Sequence, residues 1–492
     1  MPRASAGGCE KFRRTLSDTP HNMPTRNTAD SLETQTETLV QRCLAIEEDD
    51  LTVAATERAQ TLLRDLLGVM LGSATTTASS RIARDMVRAV YGAGKATVVG
   101  ESSGSPTAAA AFANGTIGHG IELDDTHSGA SIHPGVVIIP VALAVGETEA
   151  TDGQALLEAI VAGYECTLRI GRAADPAVLY DRGFHPTATC GVFGAALAAA
   201  RLKGLDFPTS VHAVGLAGSF AAGNQEYLAS GSLSKRIQPG VAAQAGIQAA
   251  ELAARGYTGP ESVLAGENGF LSAYADGGTP DRLDATIDDA YRFEITRTGI
   301  KPHACCRYNQ TPIDAALQVS RDNDLEPGDV ASVRVGVVGP AMGIVAEPRA
   351  RKIRPSTATD AQFSLQYSVA VALLTGQAFL EQFADPFLTD EAVLAMAERV
   401  HVEHDKSLDE HYPDHFPATA TVETTAGDTH STSLETCRGE PSNPLPAAFL
   451  KEKFTTLAGR SLEAPAATAL WELVGDLRAV DDVGAITAYL RG

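Results

Sequence analysis

Three alanine-rich stretches limit the folds that this chain can adopt. They cover Gln154–Gly163, Val192–Leu202 and Val241–Arg255, and each carries small and aliphatic residues at helical spacing. Alanine has the highest helix propensity, and side chains this small let neighbouring helices approach closely. The sequence from about Thr38 to Ile300 therefore predicts closely packed helices. Glycine and proline are expected to separate them at Gly183, Gly204, Pro239 and Gly256.

The sequence changes character after Lys301, where valines begin to alternate with other residues as they do in β-strands. The predicted elements are a helix over Pro312–Ser320, a strand through Val333, Val335 and Val337, a helix near Ala361–Leu374 and a β-hairpin that turns at Ala426–Asp428. This mixture of helices and strands predicts a small α/β domain.

The chain is therefore expected to be mainly α, with three parts. Residues 1–33 are predicted to be a disordered tail, and residues 34–300 together with 442–492 to form one large all-α domain. Residues 301–441 are predicted to form the α/β domain, so that both ends of the folded chain belong to the helical part.

Charge and cysteine content exclude several classes of protein. Among the 492 residues, 39 are Lys or Arg and 61 are Asp or Glu, which gives a formal net charge of −22 and argues against nucleic acid as a partner. The seven cysteines are odd in number and thinly spread, which is typical of a reducing compartment and predicts a cytoplasmic protein. No apolar run approaches the roughly 18 residues that span a bilayer, so we expect no membrane partner.

The densest polar cluster is NGTIGHGIELDDTH, residues 114–127, followed by His133 and the apolar sequence VVIIPVALAVGE. Neighbouring carboxylates separate their pKa values, so that one group holds a proton while another accepts one. This pattern points to proton transfer at a buried site. The alternative interpretation is helix capping by Asp124 and Asp125 next to an ordinary core histidine.

Three further clusters lie where helices are expected to begin. GFHPTATC contains His185, and Thr187 or Thr189 is expected to cap the following helix. Lys235 and Arg236 are adjacent in SKRIQPG, which is expected to precede a helix, and Lys301 opens KPHACCRY. Cations at such positions in an acidic chain suit a dicarboxylate or tricarboxylate ligand, although each alone is also compatible with an ordinary surface cation.

The sequence gives little support for a metal-binding or cofactor-binding site. The histidines of HVEHDKSLDEHYPDH lack the cysteine pair of a common zinc site, and the adjacent Cys305 and Cys306 lack the spacing of iron–sulfur ligands. A phosphate-binding loop and a dinucleotide fingerprint are both missing from the sequence. We therefore expect neither a metal nor an organic cofactor.

The four clusters, in this order, resemble the MmgE/PrpD family, which includes 2-methylcitrate dehydratase, cis-aconitate decarboxylase and an iminodisuccinate epimerase. The resemblance extends from about residue 38 to the C-terminus. It is carried by NGTIGHGIELDDTH with HPGVVIIPVALAVGE, by GFHPTATCGVFGAALAAARLKGLD, by SKRIQPGVAAQAGIQAAELAARGYTGPESVLAGENGF and by KPHACCRYNQTPIDAAL. Many members have histidine where this chain has Gln238 and Gln310.

The resemblance implies a large all-α domain with a smaller α/β lid, a homodimer, and an active site between the domains without metal or cofactor. It implies the catalytic residues His133, His185, Lys235 and Asp125. It also implies the substrate-binding residues Glu122, Thr126, Lys301, Cys306 and Arg236.

The chemistry that these relatives share is the handling of a proton on a carbon next to a carboxylate. A neutral histidine, His133 or His185, is expected to act as base or acid, while Lys235 and Lys301 hold the substrate carboxylates. We expect a cofactor-independent lyase on a small di- or tricarboxylate, with 2-methylcitrate-type dehydration first. The alternatives are cis-aconitate decarboxylation, racemisation or epimerisation of an amino- or imino-dicarboxylate, and a non-catalytic carboxylate-binding dimer.

Overall fold

Most of the chain forms helices, as the alanine-rich stretches predict. The computed structural model describes residues 34–284 and 293–492, and the predicted disordered tail, residues 1–33, lies outside the described residues. The helices before residue 285 are α1 Gln35–Leu44, α2 Val53–Thr76, α3 Ala78–Val90, α4 Thr107–Gly118, α5 Gly135–Glu149, α6 Gly153–Ala174, α7 Pro176–Asp181, α8 Pro186–Leu202, α9 Phe207–Ala217, α10 Tyr227–Ser230, α11 Ser234–Ala254 and α12 Phe270–Tyr274.

The remaining elements combine short helices with a small sheet. The helices are α13 Arg307–Asp322, α14 Gly339–Ala341, α15 Arg349–Lys352, α16 Ala358–Gln362, α17 Leu365–Thr375, α18 Glu391–Arg399, α19 Ala447–Ala458, α20 Ala464–Gly475 and α21 Gly484–Thr487. The strands are β1 Thr126–His127, β2 Thr298–Gly299, β3 Val330–Val337, β4 Val400–His404, β5 Ala418–Thr424 and β6 Thr429–Leu434. The predicted mainly-α fold with a smaller α/β part is confirmed.

In the core of the helical part, α5 and α11 contact each other and both pack against α4 and α8. Helix α5 is buried from Gly135 to Gly146, which follows from a sequence that is apolar on every side. Helix α11 lies so close to α8 that a Cβ atom at Gly246 would overlap Ala195. Small residues therefore set the spacing between these helices, as the sequence indicates.

Helix α11 begins earlier than expected. The sequence predicts that Pro239 separates two elements, but α11 begins at Ser234 and continues through Pro239 to Ala254. The proline ring is compatible with helical backbone angles and removes only one hydrogen bond near the start of the helix. As a consequence, Lys235 and Arg236 lie in the first helical turn and not in the preceding loop.

The C-terminal helices pack on α2. Helix α19 contacts α2 closely, with Phe454 against Gly68, and the Lys453 ammonium lies 2.7 Å from the Asp65 carboxylate. In α20, the backbone oxygen of Trp471 accepts a hydrogen bond from Arg64 at 2.8 Å. The end of the chain thus contacts helices near its beginning, while the domain boundaries at residues 301 and 441 remain a prediction.

The sheet has the strand order β4-β3-β5-β6, with β4 parallel to β3 and the other pairs antiparallel. The predicted strand is confirmed as β3, and the predicted hairpin as β5 and β6. Helix α13 contacts β5 and β6, whereas α17 contacts β4. The predicted helix over Pro312–Ser320 is confirmed within the longer α13.

The helix predicted near Ala361–Leu374 is interrupted. Helix α16 ends at Gln362, and α17 begins at Leu365 with Ser364 as its N-cap, whose hydroxyl accepts a hydrogen bond from the Tyr367 amide at 3.0 Å. Serine competes for backbone hydrogen bonds and favours such caps. The break places Gln362 beside the polar cluster described next.

Candidate active site

Three of the predicted site residues surround a fourth, Glu122, which is fully buried. The Lys235 ammonium donates a hydrogen bond to Glu122 Oε1, and Arg236 Nη1 lies 2.5 Å from the same oxygen. The Lys301 ammonium lies 3.4 Å from Glu122 Oε2 and 3.3 Å from the Glu122 backbone oxygen. We call these four residues the Glu122 cluster.

Backbone pairing brings the parts of the cluster together. Strand β1 pairs with β2 so that Thr126 lies opposite Gly299, which places Lys301 beside the loop that carries Glu122. Glu122 itself has a φ of 56°, in the left-handed region that side chains other than glycine rarely adopt. Such conformations persist where surrounding contacts hold them, and they concentrate at functional sites.

The charges of the cluster favour an anionic ligand. Burial alone would raise the pKa of Glu122, but Lys235, Arg236 and Lys301 together hold it well below its ordinary value. Burial alone would lower the pKa of Lys301, but the negative charges of Asp124 and Glu122 raise it above its ordinary value. Burial lowers the pKa of Lys235, with Glu122 working in the opposite direction. When Lys235 is protonated, three cationic side chains face the carboxylates of Glu122 and Asp124, and this arrangement favours an anionic ligand.

Asp124 joins two imidazoles. Its Oδ2 atom lies 3.0 Å from His119 Nδ1 and 3.3 Å from His133 Nδ1. His133 Nδ1 also lies 2.8 Å from the backbone oxygen of Asp125 and 3.0 Å from the hydroxyl of Thr126. Because a carbonyl oxygen only accepts hydrogen bonds, Nδ1 of His133 carries the proton and its Nε2 atom holds the lone pair of the neutral ring.

His185 is held in one tautomer by an amide. Gln238 Nε2 donates to the backbone oxygen of Asn224 at 2.8 Å, so Gln238 Oε1 faces His185 Nδ1, 2.7 Å away. That nitrogen must donate, which leaves Nε2 of His185 as a proton acceptor. Burial, followed by the charge of Lys235, lowers the pKa of His185 to about 3, so the ring is neutral near pH 7.

Neither threonine of the second cluster caps α8, contrary to the sequence prediction. His185 is the N-cap residue, and its side chain makes no capping hydrogen bond. The Thr187 hydroxyl instead accepts from the His133 backbone amide at 3.1 Å, and Thr189 donates back to the His185 backbone oxygen at 3.3 Å. Pro186 occupies the first helical position and has no amide to be capped. Thr187 therefore positions His133.

Asp125 faces away from the imidazoles. Its Oδ1 atom accepts from the Gly135 amide at the start of α5, at 3.0 Å, and its Oδ2 atom accepts from the Tyr164 hydroxyl at 2.7 Å. Burial, together with the charge of Asp124, raises the pKa of Asp125 to about 7 despite these two hydrogen bonds. The side chain that contacts the imidazoles is Asp124, the neighbour of the residue implied by the resemblance.

Cys306 lies at the edge of this site, before α13. Its backbone amide donates to the backbone oxygen of Gln362 at 2.9 Å. Burial and then the nearby charge of Glu122 raise the pKa of its thiol, which keeps it protonated and unsuited to nucleophilic attack. Gln362 connects the site further, since its Oε1 atom accepts from Arg236 Nη2 at 2.7 Å.

No group of three or more His, Cys, Asp or Glu side chains in residues 34–284 and 293–492 is arranged to hold a metal ion. Within the same ranges, no helix combines the length and the apolar character that crossing a membrane requires.

Family models match most of the described chain. The MmgE/PrpD N-terminal domain matches residues 37–283, and the MmgE/PrpD C-terminal domain matches residues 303–478. The chain belongs to the MmgE/PrpD family.

Curated relatives in this family carry decarboxylase names. A cis-aconitate decarboxylase-like protein, oryM, from Aspergillus oryzae is 29% identical over 81% of this chain and 85% of its own length. Cis-aconitate decarboxylases are 27% identical in Aspergillus terreus, over 81% of this chain and 84% of the relative, and in Homo sapiens, over 90% and 91%. These comparisons support a lyase-type function.

The MmgE/PrpD motifs locate most of this site but miss three contributors. His119 and Asp124 stand within the first quoted motif and make its closest imidazole–carboxylate contact, yet the resemblance points to their neighbours. Gln362 lies outside every motif and enters the site only because the chain breaks between α16 and α17. The sequence feature that could have pointed to His119 and Asp124 is their position in the same polar cluster, a histidine close to a carboxylate.

Two aromatic rings separate the buried site from a cavity. Tyr227 lies with its ring centroid 6.0 Å from that of His185, and Phe363 lies 5.0 Å from the Lys235 ammonium. Both aromatic residues also line a cavity of about 240 Å³. His185 and Lys235 themselves are almost completely buried.

Proposed function

We propose that this chain is a lyase that acts on a small tricarboxylate, with decarboxylation of cis-aconitate as the leading reaction. The observation that carries the proposal is the buried group of basic side chains at the Glu122 cluster beside neutral imidazoles. In a chain with a formal net charge of −22, buried cations gathered at one site favour an anionic ligand there. Decarboxylation is placed before dehydration because the curated relatives named above are cis-aconitate decarboxylases.

Lys235 and Lys301 would bind the substrate carboxylates. Both ammonium groups are held by Glu122, which fixes their positions before a ligand arrives. A carboxylate that enters between them replaces or shares this partner, and the low dielectric of the buried site strengthens the attraction. Negative charge that develops next to the bound carboxylate is stabilised by the same cations.

The decarboxylation can be written with these residues. The bond between the methylene carbon of cis-aconitate and its carboxylate breaks, and carbon dioxide leaves. The electron pair moves through the double bond to the carbon next to another carboxylate, where an enediolate-like charge forms near a lysine ammonium. A histidine in its imidazolium form then donates a proton to that carbon. The trianion plus one proton thus gives a dianion and carbon dioxide.

Dehydration of 2-methylcitrate is the second candidate, and the tautomer of His185 favours it. Dehydration requires a neutral base that removes a proton from the carbon next to a carboxylate, while hydroxide leaves from the neighbouring carbon. His185 presents its Nε2 atom as such a base because Gln238 holds its Nδ1 proton. The same base would serve an epimerase, which returns the proton to the opposite face.

Proton NMR of the purified protein in D₂O tests the proposal. Cis-aconitate, 2-methylcitrate, citrate and aspartate are supplied separately, and the products are identified from their spectra. We expect vinyl protons of itaconate from cis-aconitate. If only 2-methylcitrate reacts and an alkene forms, the protein is a dehydratase. If aspartate exchanges a proton for deuterium without net conversion, it is an epimerase. Unchanged spectra with all four compounds would contradict the proposed lyase.

A variant pair connects the activity to the site. Lys301→Met removes one buried cation, and we expect kcat/KM to fall by about 100-fold or more, which is typical of losing one charge-stabilising group. Lys406→Met removes an exposed lysine and serves as the control, with unchanged activity expected. Full activity of Lys301→Met would show that the reaction does not occur at the Glu122 cluster.

The homodimer that the resemblance implies is a further proposal. Size-exclusion chromatography with light scattering should give twice the mass of one chain, and the mass of one chain would contradict it.

A further inference from the structure

We infer that His119 is a catalytic acid that donates a proton to the substrate through its Nε2 atom, with Asp124 as the carboxylate that orients it. The inference rests on the proposed function, because it adds a proton donor to that same site. Neither His119 nor Asp124 is among the residues that the resemblance assigns.

His119 lies between the two histidines that the sequence predicts. It follows the last residue of α4 as the C-cap and is fully buried. Its ring centroid lies 5.2 Å from that of His133 and 6.2 Å from that of His185. His119 is therefore a direct neighbour of both predicted histidines.

The two ring nitrogens of His119 have different surroundings. Nδ1 lies 3.0 Å from Asp124 Oδ2, and because an ionised carboxylate only accepts, Nδ1 carries a proton. Nε2 has no hydrogen-bond partner in the part of the chain that the structure describes, and Glu122 Oε1 lies 4.0 Å away, beyond hydrogen-bond distance. Asp124 Oδ1 is also buried without a hydrogen-bond partner among these residues.

Unsatisfied polar atoms of this kind are costly in a folded protein. Two of them occur in one imidazole–carboxylate pair, next to the cluster that would bind the substrate. A substrate group that contacts Nε2 would satisfy it, which explains why an unpartnered nitrogen is kept at this position.

The three histidines differ in what supports their Nδ1 atoms. The nearest Nδ1 partner of His185 is the neutral amide of Gln238, and that of His133 is the backbone oxygen of Asp125. The ionised carboxylate of Asp124 is the nearest Nδ1 partner of His119, at 3.0 Å, and lies farther from His133 Nδ1, at 3.3 Å. A carboxylate stabilises an imidazolium ion more strongly than a neutral acceptor does, and such a difference separates acid from base.

Burial lowers the pKa of His119, with Asp124 working in the opposite direction and Lys235 in the same one. A bound tricarboxylate adds negative charge and so favours protonation. Several charged or titratable groups face this ring from the elements around it, namely Glu122, Asp124, His133, His185, Lys235 and Arg236. The protonation of His119 therefore depends on ligand binding as well as on pH.

In the proposed decarboxylation, the Nε2–H bond of His119 breaks and a C–H bond forms at the carbon that carries the enediolate-like charge. The imidazolium of His119 becomes a neutral imidazole, and its Nδ1–H still donates a hydrogen bond to Asp124. In the dehydration, the same proton would go to the leaving hydroxide, which departs as water. Solvent restores the proton in either case.

Two substitutions separate the roles of the ring nitrogens. His119→Asn places an amide nitrogen where Nδ1 lies, so the donor to Asp124 is kept while Nε2 is removed. His119→Gln places a hydrogen-bonding atom near Nε2 that cannot transfer a proton. We expect kcat to fall by about 100-fold or more in both variants, as is typical for loss of a general acid, with circular dichroism and thermal unfolding close to those of the unmodified protein. His401→Asn, at an exposed position, is the control.

A kcat of His119→Asn within about threefold of the unmodified protein would overturn the inference, because that variant keeps the structural contact to Asp124. If the proposed function fails and no tricarboxylate is turned over, histidine NMR still decides. With ¹⁵N-labelled histidine and the inert ligand propane-1,2,3-tricarboxylate, we expect the His119 Nε2 resonance to shift. It is identified by its absence from the spectrum of His119→Asn or, if that variant does not fold, of His119→Gln. A resonance that stays in place at saturating ligand would overturn the inference.

Discussion

Asp125→Asn should make the protein more stable at pH 8 while leaving its stability at pH 4 nearly unchanged. The Asp125 carboxyl is buried between the Gly135 amide and the Tyr164 hydroxyl, and its pKa is raised from 3.8 to about 7 by burial and by Asp124. Asparagine has nearly the same shape as aspartic acid. Its side-chain oxygen can accept from the Gly135 amide, and its amide nitrogen can donate to the Tyr164 oxygen. The variant thus removes the ionisation but keeps the contacts.

The magnitude follows from the shift in pKa. Between pH 3.8 and about 7 the folded protein holds a proton on Asp125 that the unfolded chain has released, so the free energy of unfolding decreases as pH rises. The shift covers about three pKa units at about 1.4 kcal/mol each, which gives about 4 kcal/mol. Above pH 7 the effect is constant. The advantage of Asp125→Asn should therefore increase from pH 4 to pH 7 and then level off.

Denaturant unfolding at intervals from pH 4 to pH 8 measures this difference. Asp49→Asn, at an exposed position, provides the control for a change of charge, and its curve should follow that of the unmodified protein. Stability curves of Asp125→Asn and the unmodified protein that run parallel across this range would refute the reasoning. Activity provides a second comparison, since a side chain that faces α5 is not required to touch the substrate, and we expect kcat at pH 6 to change by less than about tenfold.

Other variants test the tautomer, the cation site and the helix packing. Gln238→Glu places a carboxylate on His185, which raises the pKa of that imidazole from about 3 by about one unit or more and should reduce kcat/KM at pH 4 relative to pH 7 for a reaction in which His185 is the base; superimposable pH profiles of the variant and the unmodified protein would contradict it. Glu122→Gln removes the shared partner of three cations, and breaking a buried ion pair should lower the free energy of unfolding by about 3 kcal/mol or more, measured in denaturant. Gly246→Ala overlaps helix α8 and should destabilise the protein by about 1–3 kcal/mol, whereas Gly343→Ala, with open space around it, should have little effect.

The parts of the fold that depend on local sequence patterns could be predicted. Alternating valines gave β3, the Ala-Gly-Asp turn gave the hairpin, and the alanine-rich stretches gave the closely packed helices. In each case the residues that define the pattern are close in the sequence and bury the same face.

Interruptions of helices could not be predicted in the same way. Pro239 lies inside α11 because the helix begins five residues earlier, and the first turn is held by the contacts of Lys235 and Arg236 with Glu122. The break after Gln362 follows from Ser364 capping α17 and from the hydrogen bonds of the Gln362 amide to distant backbone oxygens. These contacts join residues that are far apart in the sequence.

Prediction from the sequence is limited in the same way for the candidate site. The structure places Glu122, Lys235, Arg236 and Lys301, which the motifs single out, in one buried cluster. Asp124 and Asp125, however, point in different directions, and sequence alone does not decide which one meets the imidazoles. Asp124 meets them, while Asp125 meets α5.

Deuterium labelling of the product tests the central claim most directly, namely that charge develops on a carbon next to a bound carboxylate. Cis-aconitate is supplied to the purified protein in D₂O, and itaconate is examined by proton NMR and mass spectrometry. The account predicts one deuteron on the saturated methylene carbon and unlabelled vinyl protons, because the electron pair moves through the double bond before protonation. Deuterium at the vinyl position would show that a deuteron replaces the carboxylate on the double-bond carbon directly, without movement of the double bond. That result would contradict the account.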